Sequence, residues 1–244
     1  MKSITTMLTA AAGLCATAAL ADTSVRDWVY GDGDVPEKWS IANEDYAACD
    51  AGAMQSPIDL NMANAYGDID VAASYGTAPG DLKLGPGKVQ VDVEPGMGMI
   101  SGGDLFNLLQ MHFHTPAEHA LDGTRYPLVL HLVHATSEGR LGVLGVMFKE
   151  GEANPALDAI VQTIDADEDD LELDVGALVP EELAVYRYMG SLTTPPCTEG
   201  VNWHVAEEVL TASAAQIEAM EARLGTSNRS LQPLNGRLVV APSN

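Results

Sequence analysis

The sequence predicts a β-rich domain with few helices, and three observations carry that reading. Short apolar segments broken by Gly and Pro run along nearly the whole chain, with 23 Gly and 13 Pro in 244 residues, the rhythm of strands and turns. Hydrophobic residues make up 46% of the chain, enough apolar surface for a packed core to offset chain entropy. No repeat or linker divides it, and the length suits one large domain or at most two small ones. Aromatic residues are only 5%, so the core must rest on Val, Leu, Ile, Ala and Met.

The first element lies outside the expected fold. Lys2 leads into a small, apolar run from Ile4 to Leu20 that closes on Ala19-Leu20-Ala21, the small-x-small pattern of a cleaved secretory signal. The run is too short and too rich in threonine for a membrane anchor, since a spanning helix needs about 20 predominantly apolar residues. Cys15 follows Leu14, where lipoprotein processing requires a small residue. The expected organisation is a leader over residues 1–21 and a mature domain over 22–244, periplasmic or secreted, with no membrane anchor. Export leaves Cys49 and Cys197, an even pair in an oxidising compartment. Such a pair usually forms a disulfide, and two unpaired buried thiols are the alternative.

Candidate strands follow in order: Lys88 to Val93, Leu105 to His114, Leu128 to Ala135, Leu141 to Lys149, Tyr186 to Leu192, Val201 to Val205 and Arg237 to Val240. One helix is predicted from Pro155 to about Thr163, with Asn154 as N-cap and Pro155 at the first helical position, where its missing N–H costs nothing. A second is predicted from Ala214 to Leu224, with Ser213 and Gln216 as a capping box and Gly225 to end it. The acidic run from Asp165 to Asp174 lacks the alternating oxygen ligands, glycine and closing glutamate of a helical calcium loop, and reads as a solvated loop. Overall, 12 Lys and Arg stand against 35 Asp and Glu, a net charge of −23. That excludes binding to nucleic acid or anionic lipid, both of which need clustered cations. The expected role of the acid is solubility, in an exterior suited to a saline medium.

All six histidines lie after residue 111, and the chemistry lies with them. His112 and His114 are separated by one residue in a β-type segment, so both imidazoles project from one sheet face. A neighbouring strand carrying His131 could complete a three-nitrogen set, and three neutral imidazoles with an open fourth position describe a catalytic zinc site. A His-x-His pair buried in an ordinary core is the alternative that spacing alone leaves open.

Words spread over nearly all of the mature chain resemble the alpha-class carbonic anhydrases. They include Trp28-Val29-Tyr30-Gly31, Gln55-Ser56-Pro57-Ile58-Asp59, the run from Gln110 to His119, and Leu130-His131-Leu132-Val133-His134. Val143-Leu144-Gly145, the run from Gly190 to Trp203 and the run from Asn228 to Arg237 complete the set. The resemblance implies a largely antiparallel twisted sheet of about ten strands with a few short peripheral helices. It implies Zn2+ held by His112, His114 and His131, lowering the pKa of a bound water from 15.7 toward about 7 so that the hydroxide attacks carbon dioxide. The substrates are then carbon dioxide, water and bicarbonate, with ester hydrolysis as a possible side activity and a monomer or homodimer as the assembly.

The same resemblance assigns roles residue by residue. Thr193 is the gatekeeper, donating its hydroxyl proton to Glu118 so that it can only accept from the nucleophile. Val133, Val143, Leu192 and Trp203 form the apolar wall for carbon dioxide, with Thr194 beside it and Tyr30 as a polar group of the cavity. Gln110 orients His112. Cys49 and Cys197 match a bridge of exported bacterial members and brace the loop that carries Thr193. His119 and His134 are expected to be buried and hydrogen-bonded, and His204 has no assigned role.

Two positions depart from the family. Val129 stands where a glutamate normally orients the third zinc histidine, and losing such a partner costs about 10- to 100-fold in metal affinity or activity. A binding protein of this family with weak or lost catalysis is the competing reading that Val129 raises. Gly87, beside Lys88, stands where fast members carry a proton-shuttle histidine, so proton export is expected to rely on water chains or buffer and to limit turnover.

Overall fold

A computed structural model describes residues 27–31 and 37–243. The leader assigned to residues 1–21, with Cys15, lies outside the described residues. Two short helices come first, α1 (Trp39–Ala42) and α2 (Ala47–Ala51). The strands β1 (Ala65–Tyr66), β2 (Val71–Ser74), β3 (Thr77–Gly85), β4 (Lys88–Val93) and β5 (Gly98–Ser101) follow. The long strands β6 (Asp104–His114), β7 (Leu128–Ala135) and β8 (Leu141–Glu150) form the centre. Helix α3 (Pro155–Asp165), β9 (Asp170–Asp174), β10 (Val185–Ser191), β11 (Glu199–Ala206), β12 (Leu210–Ala212), α4 (Ala214–Leu224) and β13 (Val239–Ala241) complete the chain.

Among the described residues, thirteen strands form one sheet in the order β1-β13-β10-β11-β8-β7-β6-β4-β3-β9. Beside this path β12 pairs with β8, and β2 pairs with β5, which in turn pairs with β6. Nine of the twelve strand pairings are antiparallel, as expected of a largely antiparallel sheet, but the sheet is mixed and has more than the expected ten or so strands. Strands β11 and β12 run parallel to β8, and β1 runs parallel to β13. Parallel pairing needs a long crossover, and the segment from α3 through β10 supplies one between β8 and β11.

The acidic run is also corrected, because half of it is a strand. Asp170–Asp174 pairs antiparallel with β3, and its Leu173 is fully buried between outward acids. The alternation Asp-Leu-Glu-Leu-Asp is a period-2 signal that the density of charge obscured.

The two predicted helices form with the caps that the sequence encodes. Asn154 accepts from the backbone N–H groups of Ala156 and Leu157, and Ser213 and Gln216 close a reciprocal capping box. Gln216 does more than cap its own helix. Its Nε2 donates to the carbonyl of Asn154 at 2.7 Å and its Oε1 accepts from the N–H of Asn154 at 3.0 Å, tying the starts of α3 and α4 together.

Strand β7 is buried on both faces, which is why it reads as one apolar run. Leu128, Leu130 and Leu132 enter the larger core with Phe106, Phe148 and the helices. Val129 and Val133 enter a second core with Val143, Val205 and Trp203 on the opposite face. The metal-ligand candidate His131 shares this second face, so the site sits on the smaller core.

Candidate metal centre

Register brings the histidines together. In the antiparallel pair of β6 and β7, His112 lies directly opposite His131, and His114 lies two residues along on the face of His112. A register shift between Leu108 and Gln110 lets β6 bury Phe106 and Leu108 before it, and Met111 and Phe113 after it. The bulge thus sets the phase that turns Gln110, His112 and His114 toward the site. One ligand nitrogen from each of His112, His114 and His131 lies within 4.8 Å of the other two. His114 and His131 are buried and His112 is half-buried, so the cluster opens on the His112 side.

Outer contacts decide which nitrogen two of the rings present. His112 Nδ1 lies 2.9 Å from Gln110 Oε1 and His114 Nδ1 lies 2.6 Å from the carbonyl of Ser227. Both partners are oxygen acceptors, so each Nδ1 carries the proton and each Nε2 keeps its lone pair for a metal. His114 Nε2 is buried with no hydrogen-bond partner among the described residues, and the carboxylate oxygen Oε2 of Glu118 lies 3.7 Å from it and 3.8 Å from His131 Nδ1. His131 therefore turns Nδ1 toward the site and Nε2 away from it. Burial, then the neighbouring histidines, hold His131 well below the usual imidazole pKa, in the neutral form that a metal requires. Three imidazole nitrogens turned to one point and an open side fit a catalytic zinc ion.

His131 Nε2 is buried with no hydrogen-bond partner among the described residues. Val129, fully buried and set between His114 and Met147 in the sheet register, offers it no acceptor. Two of the three imidazoles are thus locked by an acceptor and the third is not.

The apolar wall is one row across the sheet. Val133 pairs with Val143, and Val143 pairs with Trp203, so three side chains of β7, β8 and β11 stand side by side on the face of His131. All three are buried, Leu192 packs against them, and the Trp203 ring centroid lies 4.9 Å from that of His131. Trp203 Nε1 donates to the carbonyl of Ser191. Gly190 permits this approach: a Cβ there would meet the rings of Trp203 and Tyr188 at 2.8 Å and collide with Ser56 Oγ.

Glu118 is fully buried, and its Oε1 accepts from the backbone N–H of Arg229 at 3.0 Å, while Oε2 has no hydrogen-bond partner among the described residues. Thr193 is buried in the loop that follows β10. That loop is closed by the N–H of Leu192 donating to the carbonyl of Thr198 and by the N–H of Cys197 donating to the carbonyl of Thr194. Cys197 is bonded to Cys49. Tyr30 lies in an aromatic cluster beside this disulfide, with ring centroids 5.1 Å from Trp28 and 6.2 Å from Trp39.

His119 and His134 are fully buried and hydrogen-bonded, to the hydroxyls of Tyr188 at 2.7 Å and Tyr75 at 2.9 Å. His204 faces the larger core and pairs with Ser101 Oγ at 2.8 Å. Gly87 sits in the turn between β3 and β4 with φ +58, where any residue with a Cβ is strained. The turn thus favours glycine at position 87.

Arg229, Ser227 and Arg125 also support the site, and nothing in their sequence surroundings marks that role. Arg125 donates to the carbonyls of Ala117, Glu118 and Arg229. Each reaches the site from a distant segment, and no spacing within the chain announces such contacts.

Comparison with known proteins gives one family. A sequence model of the eukaryotic-type carbonic anhydrases matches residues 34–243. A carbonic anhydrase of Pectobacterium carotovorum is 39% identical over 236 residues, covering 93% of this chain and 95% of that protein. The solved alpha-carbonic anhydrase of Photobacterium profundum superposes with a TM-score of 0.79 at 37% identity, covering 87% of this chain and 99% of that one. A solved dioscorin complexed with ascorbate superposes with a TM-score of 0.77 at 29% identity, covering 87% of this chain and 95% of that one.

Proposed function

The chain belongs to the eukaryotic-type carbonic anhydrase family, and we propose that it carries out reversible hydration of carbon dioxide at His112, His114 and His131. The observation that carries this reading is the set of three imidazoles whose ligand nitrogens lie within 4.8 Å of one another beside the Val133-Val143-Trp203 row. Zinc held there supplies a water acidic enough to act as a nucleophile near neutral pH, with its pKa lowered from 15.7 to about 7.

The residues of the chain do the rest. The apolar row gives an uncharged substrate a dry surface. Oε2 of Glu118, with no hydrogen-bond partner among the described residues, is available to accept from the hydroxyl of Thr193, and that donation would leave the hydroxyl able only to accept from the nucleophile. Leu192 and Thr194 flank the row, and Tyr30 adds a polar group toward the cavity.

A stopped-flow hydration assay with metal analysis on the same sample tests this function. Hydration that scales with zinc content and disappears on its removal is the expected result. Zinc-loaded protein that hydrates no carbon dioxide would leave the competing binding role, which the persistence of all three histidines disfavours.

Val129 sets how firmly the metal is held. A carboxylate at position 129 would accept from His131 Nε2, fix the ring and raise its basicity. Val129→Glu is therefore expected to slow zinc loss to a chelator by about 10- to 100-fold. Equal release rates for the two proteins would show that the missing acceptor does not matter.

A disulfide fits an oxidising compartment. We read residues 1–21 as a cleaved export signal, residues 22–244 as the mature enzyme, and its location as periplasmic or secreted, working as a monomer or homodimer.

A further inference from the structure

Arg229 is a cation in the interior, 1% exposed, with no carboxylate paired to its guanidinium among the described residues. Its fork is satisfied by neutral acceptors on two segments far away in sequence. Nη1 donates to Gln55 Oε1 at 2.9 Å and to the carbonyl of Ser56 at 2.7 Å, and Nη2 donates to the carbonyl of Cys49 at 2.6 Å. The guanidinium lies 5.1 Å from the ring centroid of Trp39, and Nε has no partner among the described residues. Burying a charge this way is costly, and an apolar residue of similar volume would pack there at less expense.

The main chain of the same residue holds Glu118. Its N–H donates to Glu118 Oε1, and its carbonyl accepts from Arg125, which also binds the carbonyl of Glu118. Cys49, whose carbonyl the guanidinium grips, is bonded to Cys197 in the loop of Thr193. Gln55 closes the ring, because its Nε2 donates to the carbonyl of Cys197 at 3.2 Å. A continuous path of hydrogen bonds and one covalent bond thus runs from the Thr193 loop through the disulfide and Arg229 back to Glu118.

We infer that Arg229 is a positioning residue for Glu118, and that through it the Cys49–Cys197 disulfide sets the orientation of the gate formed by Glu118 and Thr193. The inference rests on the zinc-site reading above. With the fork in place, Oε1 is held from one side and Oε2 stays available to the threonine hydroxyl. Without the fork, the segment bearing the Arg229 N–H is released, Glu118 can turn, and the Thr193 proton is no longer committed. The gate then stops distinguishing ligands that donate a proton from those that cannot.

The test compares two zinc-directed inhibitors of the intact enzyme: benzenesulfonamide, which has an N–H to donate, and thiocyanate, which has none. In Arg229→Met the sulfonamide inhibition constant is expected to rise by about tenfold or more, with thiocyanate changed by less than about twofold and zinc content retained. Arg229→Lys keeps the charge but lacks the fork, and is expected to show the same selective loss in smaller measure. Cys49→Ser with Cys197→Ser is expected to shift the same ratio in the wild-type background and to add less than about twofold to Arg229→Met.

Additive effects of the two changes would overturn the coupling. A wild-type inhibitor ratio in Arg229→Met would overturn the positioning role, and if that variant does not fold, a wild-type ratio in Arg229→Lys does the same. Wild-type protein that holds no zinc, or binds neither probe, would instead refute the zinc-site reading on which the inference stands.

Discussion

Glu118→Gln is expected to lower kcat/KM for carbon dioxide by roughly 100- to 1000-fold while leaving zinc content near that of the wild type. The substitution keeps size and shape at a fully buried position, so the surrounding core has little to repack. Its effect comes from the direction in which the amide must point. The N–H of Arg229 needs an acceptor at 3.0 Å, so the amide oxygen takes the place of Oε1 and the amide nitrogen takes the place of Oε2. Two N–H donors then face the threonine hydroxyl that the carboxylate would have received. The hydroxyl must accept from the amide and turn its own proton toward the nucleophile, which reverses the gate. A stopped-flow measurement at matched zinc content decides the matter, and retention of activity within about tenfold would remove Glu118 from the mechanism.

Mild acid should unfold the protein, through three histidines far from its acidic surface. Burial pushes His119 and His204 down to about 3 and His134 down to about 4, from an ordinary value of 6.5. All three are neutral in the folded state, whereas the unfolded chain takes up a proton at each as pH falls below 6.5. Stability is therefore full above that value and is lost on the way down toward the folded-state values. Each extra proton bound by the unfolded chain contributes about 1.4 kcal/mol per pH unit, so three together approach ~4 kcal/mol per unit.

Total stabilities of about 5–15 kcal/mol cannot absorb that slope for long. Protonation of the 35 acidic side chains relieves repulsion and acts in the opposite sense, so the histidine slope is to be read between about pH 6.5 and 5, above the general carboxylate range. Urea unfolding at a series of pH values should show the slope, and His204→Asn should reduce it by about one proton. A stability that stays level from pH 6.5 to 5 would refute the account.

Most long, regular elements are legible in the sequence, whereas the nine-residue β3 and most of the short or charged strands are not, the short β13 being an exception. Strands β4, β6, β7 and β8 and helices α3 and α4 announce themselves by period, cap and length. Strands of two to four residues, such as β1, β2, β5 and β12, are too short to establish a period and are held by their neighbours. The parallel course of β11 beside β8 depends on a crossover and leaves no local mark.

At the site, the His112 and His114 pair can be read from one strand, whereas His131 becomes a partner only through register. The acceptor of His114 is a main-chain carbonyl 113 residues away, and a carbonyl has no side-chain identity to read. Arg229 illustrates the limit most clearly, because its guanidinium and its backbone N–H serve different segments at once.

The Cys49–Cys197 bond spans a sequence separation of 148 and encloses His112, His114, Glu118, His131 and Thr193. During synthesis at about 5–20 residues per second, Cys49 therefore precedes its partner by roughly 7–30 seconds. The residues that would hold the metal are all made while this thiol is still unpaired, and Arg229 is made later still. Oxidative closure therefore cannot begin until every metal ligand has been made, and a nascent chain stalled before Cys197 would carry all of those ligands without the bond that ties down the Thr193 loop.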